Sequence, residues 1–187
     1  DAVTKEHKEK GFNGRFGPGL PRINDGSMLF LLHLASKMEL PEKGGGRVAI
    51  VLSGSPLFNG GAGSGESEIR RWLLENDLVE AIIALPTEIF FRTGIGTYLW
   101  ILSNKKTENR HKRVQLINAA DQWVSIKNEG NKRRIISEEQ IHRIAEIYAA
   151  AETYELSRML DYRVFGYRRI RVLRPLRMSL HINNATM

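Results

Sequence analysis

The sequence predicts an α/β fold built on a mostly parallel sheet with one antiparallel strand. Three observations carry that prediction. Short runs rich in valine and isoleucine, RVAIVLS, VEAIIALP, TYLWILS and VQLIN, read as strands. The early strands alternate with helical patterns, the order of a parallel sheet covered by helices. VEAIIALP and TYLWILS are separated only by the loop TEIFFRTGIG. A parallel crossover needs about a dozen residues or more, so this pair is antiparallel.

Taken in order, the chain opens on a polar stretch, followed by GFNGRFGPGLP. Residues 1–26 read as a mobile loop. Asp25, Gly26 and Ser27 then give a turn and a helix start. MLFLLHLASKM is apolar nearly all round, which predicts a helix buried on most of its surface. His33 inside it reads as a core histidine rather than a ligand. RVAIVLS is an unbroken apolar run and suits a central parallel strand covered on both faces. After the glycine-rich FNGGAGSGE, the segment ESEIRRWLLEN places Ile69, Trp72 and Leu73 on one helical face. Glu66 and Glu68 fall in its first turn, where the helix dipole favours anions. Ser137 and Gln140 form a capping-box pattern that opens a further helix, with Ile141, Ile144, Ala145 and Tyr148 as its apolar face. In the final FGYRRIRVLRPLR, Ile170 and Val172 alternate with Arg169 and Arg171, which predicts an extended segment. Pro175 would end that segment or place it at an edge. The organisation expected is a loop over 1–26, an α/β unit over 27–118, and a basic C-terminal extension with one helix over 119–187.

The 187 residues suffice for one domain with a core. With 42% hydrophobic and 26% charged residues, the composition is that of a soluble globular protein. No apolar run reaches the roughly 18 residues of a membrane span. No basic-then-apolar leader opens the chain, so a cytoplasmic protein without a membrane partner is expected. The absence of cysteine excludes disulfides and thiolate metal sites, and the five scattered histidines suggest no metal. A net charge of +7 favours a polyanionic partner. The cations concentrate in three clusters: Lys105, Lys106, Arg110, Lys112 and Arg113; Lys132, Arg133 and Arg134; and Arg168, Arg169, Arg171, Arg174 and Arg177. Each cluster is either a set of phosphate contacts or a solvated surface.

Gly60, Gly61, Gly63 and Gly65 lie between a strand and a helix, where a phosphate or dinucleotide loop would sit. The spacing is not GxGxxG and no Walker lysine follows. That argues against a nicotinamide-dependent oxidoreductase and leaves a mobile surface turn as the other reading. In TEIFFRTGIGT, Phe90 and Phe91 adjoin Arg92. Both rings either pack under the loop, or one faces solvent beside a cation, as stacking on an unpaired base requires. Nothing in the chain forms a Ser-His-Asp set or a matched pair of carboxylates, so no catalytic residue is assigned.

Beyond these patterns, LPRINDGSMLFLLHLASKM and GRVAIVLSGSPLFNGGAGSGESEIRRWLLENDLVEAIIALPTEIFFRTGIGTYLWILSNKK strongly resemble the N6-adenine DNA methylase family of type I restriction-modification M subunits. NKRRIISEEQIHRIAEIY and FGYRRIRVLRPLR are similar to one branch of it. The resemblance covers nearly the whole chain and excludes HINNATM. It implies the second half of an S-adenosylmethionine-dependent, Rossmann-like methyltransferase sheet. It also implies S-adenosylmethionine, DNA, a specificity subunit and a restriction subunit as partners of the complete protein. The family's Asn-Pro-Pro-Tyr or Asn-Pro-Pro-Phe motif and its glycine-rich cofactor motif are absent from these residues. The chain alone is therefore expected to be inactive, with a non-catalytic DNA-binding or subunit-assembly module as the alternative. Self-association through uncovered apolar surface is a further expectation. By position, the resemblance makes Phe90 or Phe91 the aromatic that stacks on a flipped adenine. Arg92 lies beside them, and Gly94 would let the loop approach the base. Asp25, Gly26 and Ser53 border the cofactor or base pocket, with Ser53 departing from the asparagine or proline that some relatives carry.

Overall fold

A computed structural model describes residues 1–129 and 132–174. Its centre is the antiparallel pair β2 (Val79–Leu85) and β3 (Thr97–Ser103). β1 (Arg47–Ser53) adds antiparallel to the free side of β3, with Ser53 opposite Thr97. β4 (Arg113–Asn118) adds parallel to β2, and β7 (Ser157–Asp161) adds antiparallel to β4. The order is β1-β3-β2-β4-β7, beside a separate hairpin of β5 (Val124–Glu129) and β6 (Lys132–Ile135).

The sheet is mixed. β1, β2 and β4 share one direction and β3 opposes them, as its short connection predicts. β7 is a second opposed strand, and it crosses the expected boundary at residue 118, because the segment after the last helix returns to pair with β4. β1 is not a central strand: it is an edge among the described residues, and Arg47, Ala49 and Val51 are exposed on one face. Its apolar run reflects one packed face plus one uncovered face.

Helices cover both faces. α2 (Ser27–Ala35) and α4 (Gly65–Glu75) close over a core of Leu31, Leu32, Ile69, Leu73, Trp100 and Leu102. The short α3 (Ser55–Phe58) follows β1 directly. In α4, Ile69 and Leu73 are buried and Trp72 packs beside them, as the periodicity predicts. α2 departs from expectation: Met28, Leu31 and Leu32 are buried, but Phe30 is 62% exposed, so only one stripe of the helix is covered. His33 is half-buried and meets the Arg15 guanidinium, with Nη1 and Nδ1 3.1 Å apart. α5 (Glu138–Ala150) opens on the expected Ser137–Gln140 capping box and covers the other face. Its packed residues are Ile144, Ile147 and Tyr148, while Ile141 and Ala145 stay exposed. The apolar stripe is thus rotated by about one position from the expected one.

The first segment is not a plain loop. α1 (Ala2–Lys10) forms there, because Asp1 caps it through the Thr4 amide at 2.9 Å and its alanine, lysines and glutamates are good helix formers. His7 Nδ1 lies 2.6 Å from the Phe16 carbonyl, and Phe16 is buried. Farther on, the Arg22 amide donates to Glu66 Oε1 at 3.0 Å. These contacts fasten residues 2–22 onto α4. At the other end, residues 166–174 carry no strand or helix, and Ile170 and Val172 are exposed like their neighbours Arg169 and Arg171. The predicted two-faced strand does not form there, and Pro175 and Arg177 lie outside the described residues.

Candidate nucleic-acid interface

The residues expected to contact DNA gather at the end of the sheet where β1 and β2 finish and β3 begins. In open α/β sheets that end is where ligands bind. Two groups meet there in register, since Thr97 lies opposite both Ser53 of β1 and Leu85 of β2.

The first group surrounds Asp25. Its Oδ1 accepts the Ser27 amide at 3.1 Å, which secures the start of α2, and Gly26 is the N-cap position. Ser53 and Ser55 hydroxyls lie 3.1 Å apart. A hydrogen bond from Ser55 holds the Asp25 carboxyl at about 2, below its ordinary 3.8, with smaller contributions from Ser27 and Arg22. Ser55, which sequence reasoning did not single out, pairs with Ser53 and favours the ionised Asp25 carboxyl.

The second group is the loop over residues 86–96. Phe90 is 39% exposed and Phe91 61% exposed, so neither ring is packed away under the loop. Arg92 and Gly94 are exposed beside them. Glu88 and Arg92, which flank the two rings, adopt φ values of 61° and 62°. Side-chain-bearing residues seldom enter that left-handed region, and such backbones concentrate at functional sites. Lys132 Nζ of β6 lies 4.8 Å from the centroid of the Phe91 ring. At the root of the loop, Thr97 is 7% exposed and its hydroxyl has no partner among the described residues.

The glycine-rich segment is a structural turn. Arg70 reaches back from α4, donating Nη1 to the Pro56 carbonyl at 3.1 Å and Nη2 to the Gly60 carbonyl at 3.3 Å. Glu66, buried at the start of α4, is held below its usual carboxylate range chiefly by the Arg22 amide. The turn is therefore held by side chains of α4, with a buried carboxylate at the helix start that would repel an anionic group.

The basic clusters separate on inspection. Lys106 is buried, with Nζ 2.6 Å from Asp77 Oδ1, and Arg110 is buried with Nη1 donating to Gln115 Oε1 at 2.8 Å. Those two cations are structural. Arg168, Arg169, Arg171 and Arg174 are exposed. A cleft of about 1340 Å³ lies elsewhere, between α4, the sheet and residues 162–168, with Trp100, Leu116 and Tyr167 in its lining. Of the expected residues only Arg168, from the third basic cluster, lines it; the aromatic loop and Asp25, Gly26 and Ser53 do not. Among the described residues no group of acidic or histidine side chains could hold a metal, and no helix is long and apolar enough to cross a membrane.

Residues 3–162 match the N-6 DNA Methylase family. The MjaVII methylase subunit of a type I restriction enzyme from Methanocaldococcus jannaschii is 35% identical over 118 residues, 62% of this chain and 19% of that protein. The StySJI methylase subunit from Salmonella typhimurium is 34% identical over 80 residues, 43% of this chain and 14% of that protein. The crystal structure of a type I restriction-modification methyltransferase subunit from Streptococcus thermophilus superposes with a TM-score of 0.70 at 28% identity, covering 87% of this chain and 32% of that one. A modification subunit from Vibrio vulnificus shares the fold, with a TM-score of 0.54 at 22% identity over 72% of this chain and 27% of that one. The chain spans about a fifth of the length of the curated relatives it matches. With its mixed sheet, its flanking helices and a family match from α1 through β7, the chain belongs to the N-6 DNA methylase family and is similar to part of the methyltransferase subunits of type I restriction-modification systems.

Proposed function

We propose that this chain forms the target-base side of a subunit that methylates N6 of adenine in DNA, and that alone it transfers no methyl group. One observation carries the reading: two exposed aromatic rings, bracketed by left-handed residues and attended by cations, stand at the ligand-binding end of the sheet. An enzyme acting on a base inside a duplex must extrude that base and stack it against aromatic or apolar side chains. Phe90 and Phe91 supply the stacking surface, Arg92 and Lys132 supply nearby positive charge, and Gly94 leaves the loop open to a close approach. Asp25, Gly26 and Ser53 border the same end.

The family implies S-adenosylmethionine, which supplies an activated methyl group. The residues present do not make a cradle for it: Arg70 and Glu66 fill the glycine-rich turn, and no Asn-Pro-Pro motif occurs in the sequence. In the complete protein the partners proposed are DNA, a specificity subunit and a restriction subunit.

The test is methyl transfer from labelled S-adenosylmethionine to DNA. The isolated chain should give none, and transfer by it would overturn the reading. In the complete subunit, wild-type rates for both Phe90→Ala and Phe91→Ala would remove the stacking role. A DNA-binding or assembly module without catalysis is a second reading, favoured by the net charge of +7. Steeply salt-dependent DNA binding by the isolated chain, without any effect of Phe91→Ala on methylation in the complete subunit, would select it.

A further inference from the structure

The aromatic loop is gripped by a hairpin distant in sequence. From β6, the Arg133 and Arg134 amides donate to the Glu88 carbonyl at 3.0 and 3.3 Å. Arg134 Nη1 donates to Thr87 Oγ1 at 2.9 Å, and its Nε lies 3.6 Å from Glu88 Oε2. The same guanidinium lies 4.0 Å from the centroid of the Trp123 ring. Lys132, two residues away and therefore on the same side of the strand, sits over Phe91. Arg133, with a side chain 60% exposed, adds a solvent-facing ion pair to the same carboxylate, its Nη1 3.8 Å from Glu88 Oε1, but stacks on no ring.

These contacts divide the cluster Lys132, Arg133 and Arg134 by role. A guanidinium can stack by its flat face and still donate from its edges, whereas an ammonium cannot do both in this geometry. Arg134 does both. Its side chain is 28% exposed and is directed at Trp123, Thr87 and Glu88. Glu88 enters the left-handed region two residues before Phe90, the first of the two rings.

We propose that Arg134 is a positioning residue for the aromatic loop: it fixes Thr87 and Glu88 against Trp123 so that Phe90 and Phe91 are presented to the target base, and it makes no contact to a DNA phosphate. The proposal rests on the reading of the two rings as the base-stacking surface. A pre-set loop acts on the fraction of productive complexes, so its loss falls on kcat more than on DNA affinity. A lost phosphate contact would instead weaken binding and lower the salt slope by about one.

The experiment uses the complete methyltransferase subunit with its partners and a duplex containing the adenine that the wild-type protein methylates. Arg134→Ala should lower kcat about tenfold, leave the salt dependence of DNA binding unchanged, and speed amide exchange across residues 87–93 at least about fivefold, with β2 and β3 exchange unchanged. Arg134→Lys should resemble Arg134→Ala, because it keeps the charge and loses the fork. Should Arg134→Ala fold poorly, Thr87→Val removes only the acceptor of the Nη1 bond and should give the same pattern in weaker form. Unchanged exchange in the loop, unchanged kcat, or a salt slope lowered by about one with rescue by lysine would each overturn the proposal. Faster exchange together with wild-type methylation by both Phe90→Ala and Phe91→Ala would leave the hairpin's grip in place and reject the base-stacking reading beneath it.

Discussion

The two ends of the sheet are built on different terms. At the end where β1, β2 and β4 begin, buried charges satisfy one another. Glu80, 1% exposed, accepts Arg47 Nε at 3.0 Å and the Tyr148 hydroxyl at 2.7 Å, and Arg110 Nε lies 3.6 Å away. Burial, reinforced by that bond to Glu80, pushes the Tyr148 hydroxyl up to about 12, so it remains a donor. Gln115 extends the network to the Ile147 carbonyl and to Ser157 of β7, both at 2.9 Å. At the opposite end the rings are exposed and the Thr97 hydroxyl is unpartnered among the described residues. The buried ion and hydrogen-bond network lies at one end, and the exposed rings proposed to meet DNA lie at the other.

The largest test of this contrast is Glu80→Ala. It strands a buried arginine and should cost about 3–5 kcal/mol in urea unfolding, since removing one partner of a buried pair leaves the other charge uncompensated. A loss below about 1 kcal/mol would erase the distinction between the two ends. Next comes Gly65→Ala at the start of α4. A Cβ there would stand 1.7 Å from the Leu20 carbonyl oxygen, so the strap of residues 17–22 must move. The expected cost is about 1–3 kcal/mol, with faster proteolysis confined to that strap. Phe91→Ala sharpens the contrast from the other side: stability should change by less than about 0.5 kcal/mol. Methylation by the complete subunit should nonetheless fall about tenfold, within the range of one lost base–aromatic stack.

The smallest effect concerns Asp25. Its folded-state carboxyl titrates at about 2 rather than 3.8, so the unfolded chain binds more protons between those values. Its contribution to stability is therefore full above about pH 4 and is lost as pH falls toward 2. Asp25→Asn should flatten that part of an acid-unfolding curve and leave neutral-pH methylation by the complete subunit close to wild type. A large activity loss would move Asp25 from the border of the site into it.

What could be read from the sequence follows the range of the interactions. The β2 and β3 strands, the amphipathic α4 and the Ser137–Gln140 cap depend on neighbours a few residues away, and periodicity and capping residues reveal them. The position of β1 at an edge and the return of β7 to β4 depend on partners far along the chain, and an apolar run reads alike in either place. α1 was hidden for a different reason: nearby glycines suggested a loop, while its own lysines and glutamates, though suited to a helix, bury nothing. At the site, Phe90, Phe91 and Arg92 could be singled out as types placed side by side. The roles of Trp123 and Arg134 could not, because no spacing rule joins residue 134 to residue 87. Lys106 and Arg110 counted as candidate phosphate contacts until burial assigned them to the core.

The central antiparallel pair also bears on how the chain folds and how it varies. Among the paired strands of this sheet β2 and β3 have the shortest connection, so their hairpin is the expected nucleus for the other strands, to be checked by folding kinetics of core variants on the two strands. The segment that reverses the chain within that nucleus is the one that carries Phe90 and Phe91. Closing a flexible loop becomes only about 0.6 kcal/mol harder for each doubling of its length. Insertions between Leu85 and Thr97 would therefore slow assembly little, and the part of the molecule assigned to the target base is the part that mutation can lengthen and reshape at the least kinetic penalty.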